Sequence, residues 1–375
     1  MGRHFPIPEG PADIRSLWHT AAPLVDGTRP PWLGPDDDDD FRLSGTVSLA
    51  GLDDAERAAA MHEFNELEIV RLVVDEDPTD HDRHHLYVRR PPIEPVWSIG
   101  IRRGASPWAL AAPADAAAAL TAADVTDVPA SSVADPFLMH RDGCWQMFFE
   151  VVNWRTWKGE IGLATSSDGL RWRYERIVLT EPFHLSYPFV FEADGEIWMI
   201  PETSQAGAVR LYRAARFPAD WEHAADLLTG LPFADSTLLQ HDGRWWLFTE
   251  TSGDRNDTLR LFRADALHGP WAEHPASPLV RGDAVHARPA GPVFSVDGRL
   301  VRLAQNCGPA YGTDVRGIEI MRLTPTVYEE RLLDGPPLAG PGQAAWSAGG
   351  IHHLDPHRLE DGSWLAAVDG WRMEG

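Results

Sequence analysis

Five Asp-Gly pairs, at Asp142-Gly143, Asp194-Gly195, Asp242-Gly243, Asp297-Gly298 and Asp361-Gly362, recur 48–64 residues apart along this 375-residue chain. Each stands between two short runs of β-type residues, as 136–140 and 145–149 do around the first. Asp-Gly in that setting is the strongest short-range hairpin signal, because a type I′ turn needs positive φ at both central residues. A period near 50 residues holds about four strands, the size of a propeller blade. The expectation is an all-β chain: a five-bladed β-propeller over 96–375, preceded by a short, partly helical extension or cap over 1–95. Residues 96–102 are expected to add an outer strand to the last blade and close the ring. Asp168-Gly169 reads as the turn between the outer strands of the first blade, with Trp172 packing between blades. In the extension, Ala58, Met61, Phe64 and Leu67 predict a helix over 53–68, behind an Asp cap.

Charge and composition narrow the partners. The chain carries 33 Lys+Arg against 56 Asp+Glu, a formal net charge of −23. That excess argues against nucleic acid and anionic membrane surfaces, which need a basic face. The longest apolar stretch, 109–120, is broken by Pro113 and Asp115 and falls far short of the ~20 residues of a membrane span. The first ten residues hold no apolar signal-peptide core, and Cys144 and Cys307 are too few for a disulfide framework, so a cytoplasmic protein is expected. Cys144 is placed in a buried strand position. The acidic run 36–40 reads as a solvated loop, and 80–85 (Asp-His-Asp-Arg-His-His) as a polar loop that meets no zinc spacing. No phosphate-binding Gly-rich loop and no Gly-x-Ser-x-Gly elbow occurs.

If each Asp-Gly pair forms a two-residue loop, the seventh residue before the Asp faces the eighth after it. That pairs Asp135 with Glu150, Tyr187 with Glu202, Asp235 with Glu250, Ala290 with Gln305 and Leu354 with Asp369. These positions lie at the hairpin ends opposite the turns, so blade symmetry gathers them at one mouth of the channel. Only 56 of 375 residues are acidic, yet four of the five second positions are. Clustered carboxylates raise one another's pKa unless function or a bound cation offsets the repulsion. His184, Arg288, His352 and His353 stand just upstream of first strands and are drawn to the same mouth. Trp154, Trp157, Tyr187 and Tyr311 are candidates to stack on a sugar ring. No metal ligand set is assigned and no cofactor is expected, although the acidic ring leaves room for a channel-bound calcium ion.

Opposed carboxyl groups suit glycoside cleavage, in which one protonates the leaving oxygen while the other activates water or attacks carbon. Asp135, Asp235, Glu202 and Glu250 are the catalytic candidates; Glu150, His184, Tyr187, Arg288, Gln305, His352, His353 and Asp369 are substrate-binding candidates. The strings Val133-Ala-Asp-Pro-Phe-Leu138, Phe148-Phe-Glu150, His184-Leu-Ser-Tyr-Pro188, Met199-Ile-Pro-Glu202 and Ala287-Arg-Pro-Ala-Gly291 resemble the five-bladed propeller domain at the N-terminus of plant glucosamine inositolphosphorylceramide transferases. More distantly they resemble the propellers of glycoside hydrolase family 43. The distant resemblance implies Asp135 as general base and Asp235 as an orienting Asp. It implies a Glu acid that this chain lacks at the start of blade four, where Arg288 stands, which leaves Glu202 and Glu250. The expected function is a carbohydrate-active, glycosidase-like protein acting on a glycan or glycoside. The alternatives are a non-catalytic glycan-binding or partner-organising propeller and a biosynthetic enzyme acting on a glycosylated small molecule. Protein partners are not legible.

Overall fold

In the computed structural model, described residues are 42–48, 72–77, 80–89 and, with breaks at 113–115, 154–155, 157, 309 and 343, 95–373. They divide into two compact units, Met1–Glu94 and Pro95–Gly375. The first contains a three-stranded antiparallel sheet of β1 (Arg42–Ser48), β2 (Leu72–Asp77) and β3 (Asp80–Arg89), with β3 in the centre. The stretch 80–85, read from sequence as a loop, is the start of β3; its wholly polar composition hid a strand whose ladder partners lie on both sides. The helix expected over 53–68 and the acidic run 36–40 lie outside the described residues.

The second unit is the expected five-bladed propeller. It opens with β4 (Pro95–Gly104). Blade one is β5 (Ala130–Arg141), β6 (Cys144–Asn153), β7 (Lys158–Ser166) and β8 (Arg173–Leu179). Blade two is β9 (Ser186–Ala193), β10 (Glu196–Glu202), β11 (Ala208–Arg216) and β12 (Asp220–Thr229). Blade three is β13 (Ala234–His241), β14 (Arg244–Glu250) and β15 (Thr258–Ala264), with its outer edge split between β16 (Ala272–Glu273) and β17 (Val280–Arg281). Blade four is β18 (Phe294–Val296), β19 (Arg299–Asn306), β20 (Asp314–Leu323) and β21 (Tyr328–Leu332). Blade five is β22 (Leu354–Arg358) and β23 (Trp364–Met373), completed by β4, which runs antiparallel to β23 from Gly104 opposite Trp364 to Pro95 opposite Met373. The chain thus closes its ring as the sequence suggested.

Four of the five Asp-Gly pairs are I′ turns: both residues have φ between 50° and 76° at 142–143, 194–195, 242–243 and 297–298. The fifth differs. Only Gly362 is left-handed, the connection runs over five residues, and Leu354 pairs with Val368 instead of Asp369. The longer loop shifts the register by one.

Apolar side chains fill the clefts between neighbouring blades. Phe137, Phe148 and Ile161 of blade one pack in one cluster with Phe189 and Met199 of blade two and with Leu238 and Trp245 of blade three. Val301, Leu303 and Val315 of blade four pack with Leu354, Trp364 and Val368 of blade five. Trp172 joins the cluster between blades one and five, with its indole N–H on Gly169 O at 3.2 Å, as expected. Cys144 is half-buried at the first position of β6, more open than expected, because it flanks the hairpin turn.

Candidate active site at the channel mouth

The three inner strands β5, β9 and β13 each break their ladder near the mouth. Ala134 faces Glu150, Ser186 faces Glu202 and Ala234 faces Glu250, one residue off the expected pairs. The cause is a bulge at the next residue, where Asp135, Tyr187 and Asp235 take φ of 52°, 44° and 48°. A bulge leaves one residue unpaired and re-aims its side chain. For a bulky Tyr the left-handed region is a strong outlier, held here by packing and four hydrogen bonds. In blade four the stretch before β18 pairs only by an isolated bridge, Pro289 with Ala304. Gly291, with φ 138°, lies so close to blade five that a Cβ would meet Leu354 O at 2.1 Å. The Gln305 N–H bonds Arg288 O, so Gln305 stands opposite Arg288, not Ala290.

These breaks bring Asp135, Asp235 and Arg288 to the mouth. Arg288 spans three blades: Nε donates to Asp235 Oδ2 at 2.6 Å, Nη2 to Asp235 Oδ1 at 3.3 Å and to Glu202 Oε2 at 3.1 Å, and Nη1 to Asn256 Oδ1 at 2.7 Å. Gln305 Nε2 adds a 2.6 Å bond to Asp235 Oδ2. Burial pushes the Asp235 carboxyl up to about 6, with Arg288 pulling it down. Glu202 also takes the Ser204 hydroxyl at 2.8 Å. Glu250 turns away from this group: its Oε1 accepts the N–H of Ser252 at 2.6 Å, the Ser252 hydroxyl and the N–H of Thr258 at 3.2 Å, while Oε2 is buried without a partner.

On the other side of the mouth, Asp369 sits under the loop before β22. It accepts the N–H groups of His352 and His353 at 3.1 and 3.0 Å on Oδ1, and that of Asp135 at 3.1 Å on Oδ2. His352 Nδ1 lies 2.6 Å from Asp369 Oδ2 and 3.8 Å from Asp135 Oδ1. Burial disfavours the imidazolium, but Asp369 and Asp135 outweigh it and raise His352 to about 9. Asp369, buried yet facing His352, is lowered. Asp135 is only 4% exposed. Its Oδ2 accepts the Tyr187 N–H at 3.2 Å, and its Oδ1 has no hydrogen-bond partner. Burial, and after it the carboxylates of Asp235, Asp369 and Glu150, push Asp135 well above the usual carboxylate range, against the pull of His352.

Tyr187 parts from its expected stacking role, and His184 is held by two contacts. Tyr187 is fully buried and offers no stacking face. Its hydroxyl bonds Thr237 Oγ1 at 2.7 Å and Gly291 O at 2.9 Å and accepts the Gly291 N–H at 2.7 Å, tying blades two, three and four. His184 lies 3.2 Å from Glu150 through Nε2, while its Nδ1 accepts the Gly159 N–H at 2.9 Å. Burial lowers its pKa and Glu150 raises it, on balance to about 9. An N–H aimed at Nδ1 nevertheless requires the lone pair there, so the hydrogen bonding holds the neutral Nε2–H tautomer.

Tyr311 alone of the stacking candidates is placed on the rim, 42% exposed, with the Arg288 guanidinium 5.4 Å from its ring centre. Trp154 and Trp157 lie outside the described residues. The sequence reading missed Trp97, which stacks on His352 at 4.1 Å from the closing strand β4, and Asn256, whose left-handed backbone lets it reach Arg288. Neither carries a motif. Asp135, His352 and Asp369 each bring one ligand atom within 4.8 Å of the others, a donor set among the described residues that could hold a metal ion.

Residues 90–371 match the family described as "Glucosamine inositolphosphorylceramide transferase 1, N-terminal". The chain belongs to this family. It is 37% identical over 300 residues to glucosamine inositolphosphorylceramide transferase 1 of Oryza sativa subsp. japonica, covering 77% of this chain and 40% of that protein. To the enzyme of the same name from Arabidopsis thaliana it is 33% identical over 322 residues, covering 79% and 41%. The chain therefore spans about two-fifths of the length of these relatives. Among solved structures, it is similar to the exo-β-1,3-galactanase 1,3Gal43A of Clostridium thermocellum (14% identity, TM-score 0.47, 57% of this chain and 51% of that one). It is also similar to a family 117 glycoside hydrolase of Zobellia galactanivorans (14%, 0.45, 66% and 88%). Likeness at that distance does not speak of reaction. No helix among the described residues is long and apolar enough to cross a membrane.

Proposed function

We propose that the mouth is a carbohydrate site with glycosidase-like acid–base chemistry, in which Asp135 is the proton-transfer group. The observation that carries this reading is the Asp135 carboxyl: buried at the mouth, with Oδ1 unpartnered among protein groups and facing two imidazoles. The resemblance to family 43 implies a base at this position. Burial favours the protonated form, so Asp135 suits the step that hands a proton to a leaving glycosidic oxygen. Asp235 orients: its oxygens are taken by Arg288 and Gln305. Glu202 is the remaining catalytic candidate that reaches this group, held by Arg288 and 9% exposed. The half-exposed Tyr311 ring supplies the stacking face.

A second reading is a glycan-binding propeller without turnover, and the Arg288 clamp on Asp235 and Glu202 favours it, since it occupies two of the carboxylates a hydrolase would use. The experiment is a calorimetric and turnover screen of the protein against aryl glycosides, amino sugars and short glycans, with Asp135→Asn beside it. Turnover lost in Asp135→Asn supports hydrolysis or transfer. Saturable binding with no product in either protein supports the second reading. Turnover undiminished in the variant removes Asp135 from the chemistry.

A further inference from the structure

His353 is fully buried, and both of its ring nitrogens are without a hydrogen-bond partner among the described residues. A buried polar group left unmatched costs about 1–3 kcal/mol, so each such case calls for an explanation. The ring of Phe137 stands edge-on at 4.6 Å and that of Tyr187 at 5.4 Å, walls that tolerate a neutral imidazole and not a charged one. The His353 N–H is fixed on Asp369 Oδ1, which pins the residue in place. Its Nδ1 lies 3.6 Å from Asp135 Oδ1, which also lacks a partner, a small side-chain rotation from hydrogen-bond length.

We propose that His353 is a positioning residue for Asp135: the two share one buried proton, carried on Asp135 Oδ1 and directed at His353 Nδ1. The inference rests on the reading of Asp135 as the proton-transfer group and adds what keeps that proton in place. Asp135 Oδ1 and His353 Nδ1 thereby satisfy each other, and the ring proton of His353 stays on Nε2. In the acid step the Asp135 O–H bond breaks, its proton goes to the leaving oxygen, and the bond electrons stay on Asp135 as carboxylate. His352 stabilises that carboxylate, whereas the Asp369 charge opposes it. The charged and titratable groups facing Asp135 are His352, Asp235, Asp369 and Glu150; those facing His353 are Asp369, Asp355, His352 and Asp235. Burial pushes His353 down to about 4, consistent with a neutral acceptor.

The test needs no substrate. Infrared difference spectra between the full-length protein and Asp135→Asn isolate the carboxyl stretch of Asp135, and histidine-labelled NMR follows the His353 ring. The expected result is a protonated Asp135 band at pH 7, together with a neutral His353 whose Nδ1 is unprotonated. In His353→Phe, which fits between the same aromatic walls, the midpoint of that band moves by about one pH unit or more. His353→Gln, which can still accept at a similar place, restores most of the shift. An ionised Asp135 at pH 7, or an unchanged midpoint in His353→Phe, overturns the inference. Should the band behave as expected while no glycoside is bound or turned over, the pairing stands and the functional reading falls.

Discussion

Across the channel mouth, two carboxylates at equivalent bulges face different company. Asp235, in blade three, accepts three N–H groups from Arg288 and Gln305, and both of its oxygens are matched. Asp135, in blade one, accepts one backbone N–H on one oxygen and nothing on the other. Both are buried, and both take the same left-handed backbone. The difference comes from the blade that reaches across: blade four offers a guanidinium to Asp235, while blade five offers the His352 ring, held 2.6 Å from Asp369, and the His353 ring, without a hydrogen bond. A matched carboxylate anchors structure; an unmatched one is where a proton can be held and moved. One fold repeat thus supplies a fixed side and, under the proposed function, a reactive side.

The comparison breaks first at Arg288. In Arg288→Ala, Asp235 and Glu202 are left buried without their counter-charge, and the expected loss is about 3–5 kcal/mol by chemical denaturation. A loss below 1 kcal/mol would mean that the fixed side is not held by this clamp. Next come Asp235→Asn and Tyr187→Phe, each expected to cost about 1–3 kcal/mol because buried donors or acceptors lose partners. The Tyr187 variant also removes the link among blades two to four, so its melting should lose cooperativity.

The reactive side is sharpened by pH. His352 is raised to about 9, so the stability it contributes is complete below the ordinary histidine value near 6.5 and drains as pH rises through about 9. Melting temperatures between pH 6 and 10 should fall along that limb in the wild type and flatten in Asp369→Asn; parallel curves would rule out the pair as its source. The smallest stability effect is expected for Asp135→Asn, under about 1 kcal/mol, since an amide mimics a carboxyl kept neutral. A penalty as large as that of Asp235→Asn would erase the distinction between the two sides.

Much of this was legible in the sequence, for local reasons. Asp-Gly turns announce hairpins because few residue pairs accept two left-handed positions, and four equal hairpins fix blade size and mouth composition. Counting residues from those turns brought Glu202, Asp235, Gln305 and Asp369 to one place even though every counted pair was off. The error arose from bulges at Asp135, Tyr187 and Asp235 and from a longer loop at Asp361, and nothing local marks either, because tertiary packing decides them. For the same reason, Tyr187 read as a sugar platform and is an inter-blade tie. Glu250 read as a candidate acid, yet one of its oxygens holds its own loop. Arg288 standing where an acid was awaited was visible from the start; its three-blade reach was not.

The closing strand has a mechanical consequence. Because Pro95 pairs with Met373 at one end of an antiparallel ladder that runs to Gly104 and Trp364, the chain enters and leaves the propeller side by side. A load drawn between those two points would open the ladder one rung at a time from that end, whereas a strand pulled along its length breaks all its rungs together. The ring therefore has a zip, and tension across its ends would undo blade five before any other blade felt the force.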